Sequence, residues 1–419
     1  MAATATTPPL IACPECDLLH QITPLTGEGG KAHCSRCGAK LYQKDPSALD
    51  RTLAFYLAAL ICFIFANLYP FLSLKIGARI ETVHLTNSIW TLQQHGMPLL
   101  GLLVLLTSLL FPLLMMIGHL YLLLPRKWGI TAPGSGWIFR LLHHITPWSM
   151  VSIFVLASLV AVVKLLDIAE IIPGIGAAAF VLMMLFTAAA EASFDSHLIW
   201  PFRTSVTQPR PLQSGHSSAA ANGLICCSYC KLLAPLSALE HHPPCAHCGG
   251  QLHLRKPESI QRTWSLLAAA TLLLIPANLY PIMTVIRFGQ GEPSTILGGV
   301  IHLAAAGMWG LSLIIFFASI LIPGLKLITF SSILITIQFR KAQYPVDRTR
   351  LCRLATLVGA WSMTDIFVIA LLSALMKMGV VATVEPNIGA LFFAAVVVTT
   401  MMAAESFDSR LIWDTLPTP

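Results

Sequence analysis

Eight of the eleven cysteines fall into four C-x-x-C pairs: Cys13/Cys16, Cys34/Cys37, Cys227/Cys230 and Cys245/Cys248. Each knuckle can present two thiolates to one metal, and two knuckles complete a tetrahedral shell. A shell of four sulfurs leaves no open coordination position, so two structural zinc sites are expected, with no catalytic role. Pro14, Gly38, Pro244, Gly249 and Gly250 supply the tight turns that such knuckles need. A reducing compartment favours metal over disulfide for this spacing. Redox-active or disulfide-paired cysteines, or iron in place of zinc, are the competing readings. Cys226 stands beside Cys227 and competes for its place, although the C-x-x-C spacing favours Cys227. His20, His33, His242 and His247 lie nearby and are expected to be bystanders, because four sulfurs already suffice.

A second set of residues is notable for where it lies. An ionisable side chain near a bilayer centre costs roughly 3 kcal/mol or more, so each one inside an apolar run is a functional candidate. Lys164 and Asp167 are three apart in VVKLLDIAE and share a helix face. Lys326 lies in LIPGLKLITF and Asp365 in WSMTDIFVIALL, on neighbouring runs whose Lys and Asp are expected to meet in a bundle interior. Thr187 and Thr400 each stand eight residues before the Asp of an SFDS motif, where a hydroxyl can hydrogen-bond a charge or relay a proton. The plainer reading of all these charges is structural glue between helices. Lys377 can snorkel to a surface, and Glu191, Asp195, Glu405 and Asp408 are expected at membrane interfaces.

The chain that must position these residues has 419 of them, 56% hydrophobic and 11% charged. Soluble domains carry about 25% charged residues, and the mean hydropathy of +0.74 points the same way, to a membrane protein. No basic, apolar leader precedes the first cysteines, so no cleaved signal is expected. The sequence repeats: ANLYP at 66–70 and 277–281, WSM at 148–150 and 361–363, SFDS at 193–196 and 406–409, the last followed in both copies by Leu-Ile-Trp. This register aligns Lys326 with Met115 and Asp365 with Ser152, so the first half lacks that pair. Four apolar runs per half are long enough to span a bilayer. They lie near 52–74, 97–124, 148–172 and 174–199, then near 263–286, 305–338, 360–384 and 388–404. Pro323 is expected to kink the longest of them. Lys and Arg concentrate in 125–147, 339–359 and the 200–262 linker, which places both termini and both cysteine clusters in the cytosol. An even number of spans per half makes the repeats parallel.

The expected fold is an α-helical polytopic membrane protein, a tandem repeat of zinc ribbon plus four-helix transmembrane bundle with eight transmembrane helices. Its parts are ribbon one at 1–50, bundle one at 51–201, a Ser/Pro/Gly-rich linker at 202–224, ribbon two at 225–258, and bundle two with a short tail at 259–419. There is no G-x-x-x-x-G-K-[ST] loop, which argues against nucleotide hydrolysis.

The paired C-x-x-C motifs, ANLYP and PANLYPIM, PSTILGG at 293–299, the run from Trp361 to Ala370 and the closing FDSRLIWD at 407–414 are similar to the paraquat-inducible protein A (PqiA/LetA) family across nearly the whole chain. The resemblance implies a non-enzymatic inner-membrane subunit that moves lipids between the membrane and a periplasmic MCE-domain tunnel protein, using proton movement. It implies that the family's polar membrane residues correspond to Lys164 and Asp167 in bundle one and to Lys326, Asp365 and Thr400 in bundle two. Ser152 departs from the pattern, since some members carry an acid there. The alternatives are an assembly subunit that anchors the tunnel partner without transporting, and a membrane thiol oxidoreductase.

Overall fold

The computed structural model describes residues 10–22, 30–76, 79–165, 170–200, 218–237, 244–287, 290–340, 344–375 and 382–414. Among them, eight helical spans are long and apolar enough to cross a membrane. Spans one to four are Ala48–Leu68, Pro98–Trp128, Ser135–Val163 and Ile175–Ser193; spans five to eight are Ser259–Leu279, Trp309–Gln338, Pro345–Leu375 and Ile388–Ser406. The chain is a multi-pass membrane protein whose halves repeat one element order.

Local chemistry explains the span limits. Spans one and five end at Leu68 and Leu279, short of the 74 and 286 expected from hydropathy. A residue before proline is pushed out of the helical region. In each ANLYP motif the tyrosine obeys: Tyr69 has ψ 153° and Tyr280 ψ 145°. The apolar residues that follow form strands instead. Leu72–Ile76 and Arg79–Val83 make an antiparallel hairpin, joined by Glu170–Pro173 from just before span four. The second half repeats the sheet with Met283–Arg287, Gln290–Ser294 and Ala382–Pro386. Both sheets lie at the end of the bundles opposite the cysteine clusters. Gly176 and Gly389, each the second residue of its last span, donate their N–H to Pro70 and Pro281. A Cβ there would stand 2.6 Å from the carbonyl oxygen of Tyr69 or Tyr280, so only glycine lets sheet and span close up.

Pro112 and Pro323 are each accompanied by a wider helical turn. A π-type turn, Leu106–Leu110 or Phe317–Leu321, lies immediately ahead of each. Proline cannot donate to the carbonyl four back and its ring crowds it; one wider turn relieves both problems.

Spans three and seven begin at Ser135 and Pro345, earlier than the expected 148 and 360. The basic segments 125–147 and 339–359, expected as loops, are therefore largely helix, Ser135–Ile145 and Pro345–Gly359. Each continues through a tight turn at the WSM motif. In the first half Pro147 interrupts the helix, and Ser149 is extended with ψ 98°. Ala360 replaces that proline in the second half, and the turn runs straight on into Thr364–Leu375. Every residue of Thr364–Leu375 is buried. This stretch lies between the two halves, with Phe367 edge-on to Phe154 of span three at 5.3 Å.

Candidate functional site

The two cysteine quartets close as the spacing requires. All four Sγ atoms of each set lie within 4.8 Å of one another and are buried. The shortest separations are 3.4 Å for Cys13–Cys37 and 3.5 Å for Cys16–Cys34, 3.6 Å for Cys227–Cys248 and 3.5 Å for Cys230–Cys245. Four sulfurs at about 2.3 Å from one zinc would stand about 3.8 Å apart, so the donor set fits a tetrahedral metal. None of the eleven cysteines is in a disulfide. Cys226 lies outside the quartet, turned to Cys227 O and packed with Ala12 and Leu224. His20 reaches Cys34 Sγ at 3.3 Å from outside the shell; His33 instead meets Gly38 O, and His247 stacks on Trp200. His242 falls outside the described residues.

The ribbons are crossed. Ribbon one packs beneath the second bundle, with Leu41 and its cysteines against Phe330, Phe407 and Trp413. Arg353 of span seven grips Glu15 and donates to Cys37 O, and Arg36 lies 4.2 Å over the Trp413 ring. Ribbon two packs beneath the first bundle. Arg140 of span three donates to Cys248 O at 2.9 Å, and Gly136 gives Cys248 room. The early helical turns of spans three and seven thus each carry an arginine, Arg140 and Arg353, against the other half's ribbon. The ribbons also meet each other: Ala219 N–H donates to Asp17 O at 2.8 Å, and the Asp17 carboxylate holds Arg255 at 3.1 Å. Residues 218–224, expected as connector, form a short turn and the start of strand Leu224–Cys226 in this contact; 201–217 lie outside the described residues.

The SFDS motifs fasten each ribbon's exit to its own last span. Asp195 accepts from Gln43 N at 3.3 Å, and Asp408 accepts from Lys256 N at 3.0 Å. The residue two beyond differs between the halves. Arg410 chelates Asp408 with bonds of 2.9 and 2.8 Å, and both are buried. Burial pushes the Asp408 carboxyl up, but the Arg410 hydrogen bonds and charge outweigh it and hold the group below its usual range. His197 takes the arginine's place, its Nε2 3.9 Å from Asp195. Burial lowers this imidazole from 6.5 to about 4. Between those values the folded chain binds fewer protons than the unfolded one, so stability is complete above the unfolded value and is lost as pH falls through the window. The thermal midpoint of the detergent-solubilised protein is expected to drop from pH 6.5 to 4, and His197→Gln to flatten part of that drop; an identical slope in the variant would contradict it.

In the second bundle, Lys326 and Thr400 come together in the span interior. Lys326 is 3% exposed, and its ammonium donates to Thr400 Oγ1 at 3.3 Å and to Gly359 O at 3.4 Å. The expected Lys326–Asp365 contact is not among the ion pairs of the described residues. Lys326 meets span seven six residues short of Asp365, and Asp365 lies buried in the next turns toward the sheet. Gly359 is the partner that sequence reasoning missed: a Cβ there would stand 2.5 Å from Lys326 Nζ. No side-chain signal marks a backbone carbonyl, so only packing reveals it. Asp167 and the side chain of Lys164 fall outside the described residues.

The first bundle carries a different buried polar group, also unforeseen. His119, inside MMIGHLYLL, donates its Nδ1–H to Met115 O at 2.8 Å. Its ring stacks on Tyr56 at 4.7 Å and meets Phe194 edge-on at 4.9 Å. The corresponding pair in the second half is Phe330 and Phe407, also edge-on, at 5.8 Å.

The family model described as paraquat-inducible protein A matches residues 49–202 and 260–417. The intermembrane transport protein PqiA of Escherichia coli (strain K12) is 33% identical over 97% of this chain and 96% of its own length. The lipophilic envelope-spanning tunnel protein A of the same strain is 29% identical over 96% of this chain and 90% of its own. A probable intermembrane transport protein of Haemophilus influenzae is 27% identical over 97% of both chains. No solved structure matches the chain.

Proposed function

Since the chain belongs to the paraquat-inducible protein A family, we propose that it is a non-enzymatic transport subunit of the bacterial inner membrane. It moves lipid between that membrane and a periplasmic MCE-domain tunnel protein, and carries zinc in both ribbons on the cytosolic side. The names of its relatives, an intermembrane transport protein and an envelope-spanning tunnel protein, support this reading. The observation that carries the mechanism is the buried Lys326 of the second bundle. An ammonium in the membrane interior persists when protein groups replace its water, and Thr400 Oγ1 and Gly359 O do so for Lys326. Met115 holds the corresponding position in the first bundle.

In this mechanism Asp365 takes up and releases a proton, and the change of charge on span seven, wedged between the halves, shifts the second bundle between lipid-loading and lipid-releasing states. Lys164 and Asp167 form the counterpart relay of the first bundle. The zinc sites hold the ribbons rigid against the bundles and take no part in transfer.

The test is complementation of cells lacking the protein, with membrane abundance checked by blot. Asp365→Asn, Lys326→Ala and Gly359→Ala are expected at normal levels but with roughly tenfold or greater loss of survival on detergent. Gly359→Ala is the incisive variant, because it adds one methyl group and displaces the Lys326 ammonium without removing any charge. Full complementation by all three would favour an anchor that assembles the tunnel partner and transports nothing.

A further inference from the structure

A small cavity lies in the second half where three elements meet: the sheet hairpin, the short helix Ile296–Ala305 and the buried Thr364–Leu375 stretch. It has room for about 20 Å³ of water centres. One water needs roughly 10–15 Å³ on that measure, together with two to four polar partners. The walls are apolar, with Ile282, Ile315 and Ile369 among them. The polar side chains that line it are Ser294, Thr295 and Asp365, and Asp365 is the one titratable group. Thr295 Oγ1 accepts from Gly298 N at 3.1 Å as the helix cap, which leaves its hydroxyl proton available to another acceptor. The corresponding positions of the first half hold Val83, His84 and Ser152, so the acid has no counterpart at its aligned position. Lys326, by contrast, meets span seven at Gly359, on the ribbon side of Asp365.

We propose that Asp365 exchanges its proton with solvent on the sheet side of the membrane through this cavity, with Ser294 and Thr295 holding the water at its carboxyl. The proposal rests on the reading above that Asp365 titrates during transport. It adds a direction: the acid opens toward the sheet, and the Lys326–Thr400 contact lies on the far side of the barrier. A proton moves from water to carboxylate and back, with no other bond made or broken.

The experiment uses Asp365→Cys in the full chain, probed with silver ion in nitrate buffer. Silver ion is small, thiophilic and confined to watery paths. Thiol left unblocked is then alkylated after denaturation and quantified in the tryptic peptide 354–377, which has no native cysteine. Exposed Gln290 at the hairpin, as Gln290→Cys labelled by a bulky impermeant maleimide, identifies the sheet side in spheroplasts and in inside-out vesicles. Silver is expected to block the Asp365→Cys thiol roughly tenfold or more faster from the side that labels Gln290→Cys, since ions cross apolar packing only through water. Adding Gly299→Leu, whose Cβ has ordinary room at 3.4 Å from Ser294 Oγ, fills the cavity and is expected to slow the block roughly fivefold. Thr295→Val, checked for intact Gln290→Cys labelling, gives a second arm should the glycine variant fold poorly. Faster block from the ribbon side, no block from either side, or rates indifferent to both cavity variants would overturn the proposal. Failure of the transport reading shows separately, as full complementation by Asp365→Asn, and leaves these labelling rates untouched.

Discussion

Cys34→Ser is expected to cost the protein one of two bound metal ions and to loosen the second bundle more than the first. A structural zinc site contributes roughly 10–16 kcal/mol of apparent folding free energy in small domains. The loss should fall on the other half because the ribbons are crossed. Ribbon one supports the second bundle through the grip of Arg353 on Glu15 and Cys37 O, and through Arg36 over Trp413. Cys245→Ser should loosen the first bundle instead, where Arg140 and Gly136 meet Cys248. Metal analysis should read one ion per chain for either single variant. Hydrogen exchange should rise around 349–353 and 407–413 for Cys34→Ser, and around 136–143 for Cys245→Ser. Exchange confined to the half that carries the substitution would refute the crossed support, and two retained ions would refute the four-sulfur site. A thiol oxidoreductase would show a further signature, reversible disulfides within the quartets that depend on redox buffer.

Asp408→Ala is the second large effect, and its contrast with Asp195→Ala is the informative measurement. Asp408 satisfies Lys256 N, Arg410 N and the Arg410 guanidinium at once. Removing it strands a buried arginine, which costs about 3–5 kcal/mol where such pairs have been broken. Asp195 faces His197, an imidazole that burial keeps neutral near pH 7, so no fixed charge is stranded and the loss should be nearer 1–3 kcal/mol. Denaturation in detergent should rank the variants in that order, and Asp408→Ala with Arg410→Met should recover most of the loss. Equal effects from the two aspartates would show that the ion pair contributes nothing beyond the cap. The sign with pH follows from the depressed Asp408 value. Its contribution is present above the unfolded carboxylate range near about 4 and is lost as pH falls through the lower folded value.

Much of the candidate chemistry was legible from residue type and spacing. The quartets assemble from C-x-x-C pairs because a knuckle is a local structure, fixed by a few turn residues. Lys326 and Thr400 were marked by polarity in apolar runs, and they touch. Hydropathy places a residue in a span but not at a height, so it does not show that Lys326 meets span seven at Gly359 O. The three-stranded sheets were absorbed into the apolar runs, since Leu72–Ile76 and Met283–Arg287 are as hydrophobic as the helices before them. The Pro of ANLYP was the available signal that the helix stops.

The sequence by itself determined the duplication, the eight spans, the two metal quartets and the polar residues set within the membrane. Each of these is encoded locally, by a period, a spacing or the length of an apolar run. Tertiary structure alone decided which ribbon braces which bundle, which carbonyl receives the Lys326 ammonium, and that Thr364–Leu375 is enclosed between the halves. Those outcomes depend on contacts across hundreds of residues between two repeats of one element order. Two copies of one pattern carry the same local preferences, so only the shapes that finally pack together distinguish a crossed pairing from a direct one.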